Sequence, residues 1–188
     1  MQKKIIILAS GNGSNAEKII DFFESSSAVK VLSVISNKQG AGVFDRAKKF
    51  GVPAVLFKKK SFETNEVLSY LEELKPDLIV LAGFLLKIPK EFVLKFPNKI
   101  INIHPALLPK YGGKGMYGSN VHKAVKESGD LKTGITIHYV NENYDEGAII
   151  FQAEVGLDAS DSPETIATKV HALEHQHFPQ VINQILRK

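Results

Sequence analysis

The chain has 188 residues, 44% of them hydrophobic, which suits one domain able to bury about 70% of the surface its unfolded form would expose. It contains no cysteine, which excludes disulfides and thiolate metal sites and makes a reducing cytoplasm the expected location. The net charge of +4 permits an anionic partner; the lysines are scattered, with only residues 58–60 in a run, so a small anion is expected rather than a nucleic acid.

The opening "MQKKIIILASGNGS" imitates a secretion signal, but its apolar run covers only residues 5–9 before polar residues follow. No later stretch approaches the roughly 18 apolar residues of a membrane span, so a soluble protein with no membrane partner is predicted. Residues 3–9, 29–36, 53–57, 77–84 and 99–104 read as strands. They are apolar nearly throughout, as strands covered on both faces must be. Between them, "NAEKIIDFFES", "VFDRAKKFG" and "NEVLSYLEELK" carry apolar residues at helical spacing. Further on, the glycine-rich "PKYGGKGMYGS" leads into a helical segment near residues 118–128. "GITIHYV" and "GAIIFQAEV" then read as an antiparallel pair joined by the acidic turn "NENYDEG". Ser162 and Pro163 read as the N-cap and first residue of a long final helix. The predicted class is α/β: a Rossmann-like open, mostly parallel twisted sheet with helices on both faces and an antiparallel C-terminal addition.

The first candidate site follows the first strand. Gly11, Gly13 and Ala16 fit G-x-G-x-x-G/A, a pattern whose glycines allow a tight turn and close approach of a phosphate to free backbone N–H groups. Ser14 and Glu17 match a capping box at the helix start, and an ordinary glycine turn with a cap is the plainer alternative. A dinucleotide site expects an acidic residue at the end of the second strand, where this chain has Ser36, Asn37 and Lys38. NAD is therefore disfavoured, NADP is left open, and a single phosphate ester fits better.

The second candidate site lies at the end of the fifth strand. Asn102 and His104, two apart, project to one side at the carboxyl edge, where open α/β sheets bind ligands. An amide donor beside an imidazole suits acyl transfer, in which charge grows on a carbonyl oxygen. With no cysteine and no G-x-S-x-G elbow, direct transfer between two bound substrates is simpler than a covalent acyl-enzyme. The plainer alternatives are a hydrogen-bonded core histidine and a strand-end amide. A carboxylate of the acidic turn would raise the histidine pKa, and Glu142, Asp145 and Glu146 compete for that role. His171 and His175 imitate a metal pair without H-E-x-x-H, so no metal is expected. His138 reads as sheet packing or a pocket wall, and His122 as an exposed helix residue.

"ASGNGSN", "DLIVLAGF", "NIHPALLPKY", "HYVNENYDEGAII" and the late "EH", in this order and spacing, resemble the phosphoribosylglycinamide formyltransferase family of de novo purine synthesis over nearly the whole chain. The resemblance implies formyl transfer from 10-formyltetrahydrofolate, as co-substrate, to the amine of glycinamide ribonucleotide in IMP biosynthesis. It implies Asn102, His104 and Asp145 as the catalytic trio, with His104 acting as imidazolium, Asn102 holding the formyl oxygen, and Asp145 keeping the histidine charged. Gly11, Asn12, Gly13, Ser14 and Asn15, with His171 and Glu174, would bind the ribonucleotide. Leu85, Leu86, Lys87, Ile88, Asn102, Asn141, Glu142, Asn143, Tyr144 and Asp145 would bind the folate.

In that family methionine and arginine stand where this chain has Leu85 and Leu86, and arginine where it has Asn65; Lys87 or one of residues 58–60 is the substitute expected at the folate glutamate tail. "GGKGMYGS" is also longer than the family's common loop. The expected organisation is one formyltransferase domain over residues 1–188, phosphate-binding over about 1–100 and folate-binding and catalytic over about 101–188, in a monomer or homodimer. Methionyl-tRNA formyltransferase and formyltetrahydrofolate deformylase share "HPALLP"-type motifs but add a further domain for which this chain is not expected to have room. A non-catalytic module binding phosphosugars or nucleotides would keep "GNGSN" without needing the trio.

Overall fold

The structure is a computed structural model describing residues 2–187. Seven strands form one sheet in the order β3-β2-β1-β4-β5-β6-β7. Five pair in parallel: β1 (Lys3–Leu8), β2 (Val29–Ser36), β3 (Ala54–Leu56), β4 (Leu78–Leu81) and β5 (Ile100–His104). The last two, β6 (Lys132–Tyr139) and β7 (Ile149–Gly156), run antiparallel along the β5 edge, as expected. Helices α1 (Ser14–Phe23), α2 (Val43–Lys49), α4 (Glu66–Leu74), α6 (Ser119–Ser128) and α7 (Pro163–Leu186) stand where the periodicity predicts them. Two short helices, α3 (Lys59–Glu63) and α5 (Lys90–Lys95), were not anticipated; five or six residues carry too little periodicity to read.

The period of two explains the layers. Along β1, Ile5 and Ile7 face the core shared with α1, α2, α6 and α7, while Ile6 and Leu8 face the one shared with α3, α4 and α5. All four are fully buried, so the strand is apolar at every position after Lys4. Among the described residues no helix is long and apolar enough to cross a membrane.

Two local expectations need correction. The capping box at Ser14 does not form: Gly13, at φ 79°, is the N-cap and makes no side-chain cap bond. Glu17 instead pairs with Arg46 and Lys49 of α2, because a charged partner from a neighbouring helix offers more than a second backbone N–H. Glycine is required at position 13, since a Cβ there would sit 2.6 Å from Val43 Cβ. The fourth strand ends at Leu81 rather than residue 84, because Gly83 at φ 73° turns the chain out of the sheet. At α7 the expectation holds: Ser162 Oγ accepts from Thr165 N–H at 3.2 Å and Pro163 opens the helix.

The turn after β5 is fastened to the antiparallel pair. Thr136, opposite His104 in the ladder and fully buried, accepts from Leu108 N–H at 2.9 Å and donates to the Ala106 carbonyl at 2.7 Å. Gln152 of β7 donates to Thr136 Oγ1 at 2.9 Å and to the Leu108 carbonyl at 3.1 Å. The Leu108–Pro109 peptide in this turn is cis. Thr136→Val keeps the shape and leaves the Leu108 N–H without its partner, so a loss of about 1–3 kcal/mol in urea unfolding is expected; an unchanged midpoint would show that water replaces the hydroxyl.

Candidate active site

Strand order reverses between β1 and β4, so the chains leaving their carboxyl ends diverge and open a crevice. A cavity of about 530 Å³ occupies it, walled by the loop after β1, the segment after β4, the end of β5, the turn between β6 and β7, and α6 and α7. Ser10 ties the first two walls together: its Oγ donates to Asn37 Oδ1 at 2.6 Å and accepts from Leu85 N–H at 2.9 Å. That link joins residues 75 apart and was not legible in the sequence.

Gly11, Asn12, Gly13, Ser14 and Asn15 all line the cavity. Among the described residues no lysine or arginine lines it near this loop; the one such lining residue is Lys87, in the segment after β4. An anion here would meet backbone N–H groups and the N-terminus of α1. Asn15 Nδ2 donates to Glu174 Oε2 at 2.9 Å, joining the first helix to the last, and Asn15 Oδ1 is buried without a partner. His171 Nδ1 also donates to Glu174 Oε2 at 2.9 Å. Glu174 is only 4% exposed and lines the cavity, and with both bonds on Oε2 its other oxygen is left for a ligand. The Glu174 carboxylate holds the half-exposed His171 ring above its usual pKa, against the opposing effect of burial.

Asn102, His104 and Asp145 converge on the same cavity. His104 is 3% exposed. Its Nε2 lies 2.7 Å from the Tyr111 carbonyl, which can only accept, so Nε2 carries a hydrogen. Nδ1 faces Asp145 Oδ2 at 3.6 Å. Asp145 also accepts from Gly113 N–H at 2.9 Å, and its Oδ1 lies 3.7 Å from His138 Nε2. His138 Nδ1 is 2.9 Å from its neighbour's carbonyl at Tyr139, so its Nε2 is the acceptor for Asn102 Nδ2 at 3.2 Å. His138 is thus more than a wall: it orients the amide and flanks the carboxylate. Of the three acids in the acidic turn, Asp145 alone lines the cavity.

Burial pushes the His104 pKa below its ordinary value, more than the Asp145 carboxylate and the Tyr111 carbonyl lift it, so the ring rests neutral at pH 7 rather than as imidazolium. Burial raises the Asp145 carboxyl, but the neighbouring His138, His104 and the Gly113 N–H outweigh it, and Asp145 lies below the usual carboxylate range.

On the remaining wall, Leu85, Leu86, Lys87, Ile88, Asn141, Asn143 and Tyr144 line the cavity, with the Lys87 ammonium 5.5 Å from the centre of the Tyr144 ring. Glu142 does not: its carboxylate pairs with Lys90 at 3.1 Å outside the cavity. Asn65 and the lysines at 58–60 are absent from the lining as well. His122 corrects the reading as an exposed helix residue, being 3% exposed with Nδ1 unpartnered, one ring away from His171. It shares the buried side of α6 with Val121 and Val125, and α6 packs against α7. Among the described residues no group of three or more His, Asp or Glu is placed to hold a metal ion.

Burial lowers the pKa of His104, His122 and His175 below the unfolded value of about 6.5. Each contributes stability that is fully present above pH 6.5 and is lost as pH falls through the folded value. His171, raised, acts in the opposite sense, but its half-exposed side chain screens the effect. The urea midpoint should therefore fall between pH 7 and pH 5, less steeply in His122→Asn; a flat midpoint across that window would contradict the buried, neutral assignment.

Residues 3–182 match the formyl transferase family. The chain is 42% identical to a chloroplastic phosphoribosylglycinamide formyltransferase of Arabidopsis thaliana, matching over 98% of its own length and spanning 65% of that protein. It is 41% identical to the phosphoribosylglycinamide formyltransferase of Haemophilus influenzae, over 96% of this chain and 85% of the relative. The crystal structure of the Anaplasma phagocytophilum phosphoribosylglycinamide formyltransferase superposes with a TM-score of 0.91 at 35% identity, covering 100% of this chain and 88% of that one. With a near-complete sequence match and a coincident fold, the chain belongs to the formyl transferase family, among its phosphoribosylglycinamide formyltransferases.

Proposed function

We propose that Asn102, His104 and Asp145 carry the transfer of a formyl group from 10-formyltetrahydrofolate to the amine of glycinamide ribonucleotide, the reaction of this family in purine biosynthesis. The observation that supports this reading most directly is the convergence of an amide, a buried imidazole and a carboxylate between the glycine loop and a largely apolar wall. The loop at residues 11–15 suits the phosphate, Glu174 with His171 suits the ribose hydroxyls, and Leu85, Leu86, Ile88 and the turn from Asn141 to Asp145 suit the folate.

The free amine attacks the formyl carbon, the new C–N bond forms, and charge moves onto the formyl oxygen. Asn102, held by His138, offers an amide N–H to that oxygen. His104 begins neutral; the growing negative charge adds to that of Asp145 and makes the protonated ring favourable only as the tetrahedral intermediate forms. With Nε2 engaged by Tyr111, Nδ1, beside Asp145, takes up the proton that the attacking amine releases and gives it up again as the intermediate collapses. Collapse breaks the bond between the formyl carbon and N10, and the proton released by the amine ends on N10.

In this reading one domain covers residues 1–188, with the phosphate loop in the first part and most catalytic and pterin contacts in the second. Leu85, Leu86, Lys87, Ile88 and Glu174 cross that division. The protein acts as a monomer or a homodimer. A cysteine-free chain also suits a reducing cytoplasm.

Purified protein given both substrates should release tetrahydrofolate only when both are present; release without the ribonucleotide would identify a deformylase instead. His104→Ala and Asp145→Ala should each lower kcat by about 10²–10⁴-fold while ribonucleotide binding survives, and full turnover in either variant rejects the mechanism. Ser14→Asp puts a carboxylate at the phosphate loop and should weaken the ribonucleotide by about tenfold or more with little effect on folate. Equal losses for both ligands would place the phosphate elsewhere.

A further inference from the structure

We propose that Tyr111 is a positioning residue: its carbonyl and the Gly113 N–H form one backbone clamp on His104 and Asp145, and its phenol, fastened to Asp130, holds that clamp in place. The proposal rests on the functional reading above and adds a residue outside the catalytic trio.

The segment after the cis peptide reaches both partners within three residues. Tyr111 O accepts from His104 Nε2 at 2.7 Å and Gly113 N–H donates to Asp145 Oδ2 at 2.9 Å. Between them Gly112 packs so closely that a Cβ there would lie 2.6 Å from Leu108 Cδ2 and 3.4 Å from Asp145 Cβ. No side chain therefore fits between the carbonyl and the N–H that hold the two partners.

Tyr111 holds φ at 57°, a left-handed conformation that bulky residues rarely adopt. Such a backbone persists when its surroundings over-determine it, and here the side chain supplies the constraint. The phenol donates to Asp130 Oδ2 at 2.8 Å and lies 2.6 Å from Ser128 Oγ at the end of α6. Asp130 is also gripped by Lys110 Nζ at 3.0 Å, and the phenol and this ammonium together keep its carboxyl below the usual range. The ring is partly buried against the core shared with α6 and α7, so removing the hydroxyl need not unseat it.

The chemical consequence lies in the tautomer. A neutral imidazole has two forms, and only one leaves Nδ1 bare toward Asp145. A carbonyl on Nε2 selects that form and keeps the hydrogen there in every charge state, so proton movement is confined to the Asp145 side. The other titratable groups facing His104 are His138 from β6, His122 from α6 and Glu174 from α7, and none hydrogen-bonds the ring. The tautomer thus depends on one carbonyl, and its place on the phenol.

The test reads the tautomer without substrate and the kinetics with it. Long-range ¹H–¹⁵N spectra of the full chain should show His104 solely as the Nε2–H form. Tyr111→Phe and Asp130→Asn should each admit the other tautomer, and each should lower kcat by about ten- to a hundredfold while the ribonucleotide KM stays within about twofold. The double variant should be no worse than the worse single one. If Tyr111→Phe does not fold, Asp130→Asn, which leaves the ring in place, decides. An unchanged tautomer and kcat overturn the proposal. In the wild-type background, His104→Ala with full turnover would instead overturn the functional reading and leave the tautomer result standing.

Discussion

The pairing of β1 with β4 is the constraint from which the site follows. These two strands lie side by side in parallel but belong to opposite windings of the sheet, so their outgoing chains must part. Of the residues of these two strands, Leu81 at the end of β4 lines the crevice between them. The glycine loop takes one wall and the segment after β4 the other, and Ser10 bonds across the gap to keep their spacing. β5 lies next to β4 and ends in the same plane, which brings Asn102 and His104 to the crevice floor without any distortion of the strand.

On the other side of β5 the pairing changes from parallel to antiparallel, and this change supports the chemistry. An antiparallel neighbour sets residues directly opposite one another, so Asn102 faces His138 and His104 faces Thr136. One partner orients the amide; the other anchors the turn that follows the imidazole. The turn between β6 and β7 then returns to the crevice carrying Asp145, itself at φ 56°.

Electrostatically, the centre balances two opposing effects. Burial favours a neutral His104, while Asp145 favours a charged one, and in the resting protein burial prevails. The other end of the cavity differs: among the described residues no lysine or arginine lines it near the glycine loop, and the buried Glu174 lies there instead. Its hydrogen bonds to Asn15 and His171 hold it in that place.

Much was legible because it depends on local period and local turn chemistry. Apolar runs marked the strands, the 3.6-residue spacing marked the longer helices, and Asn102 and His104 share a face simply because they are two apart in a strand. The family motifs named the site residues, and all but Glu142 reached the cavity. What stayed hidden involves partners distant in sequence. Glu17 met α2 instead of capping α1, His122 was covered by α7, Asp145 could be told from Glu142 and Glu146 only by resemblance, and the roles of Ser10, His138 and Tyr111 had no local signal at all. The charge of His104 belongs to the same group. The sequence determined which elements form and which face each residue takes, since both follow from neighbours a few positions away; only the tertiary structure decided which acid meets the imidazole and whether the ring is charged, since desolvation and pairing depend on atoms brought from the far ends of the chain.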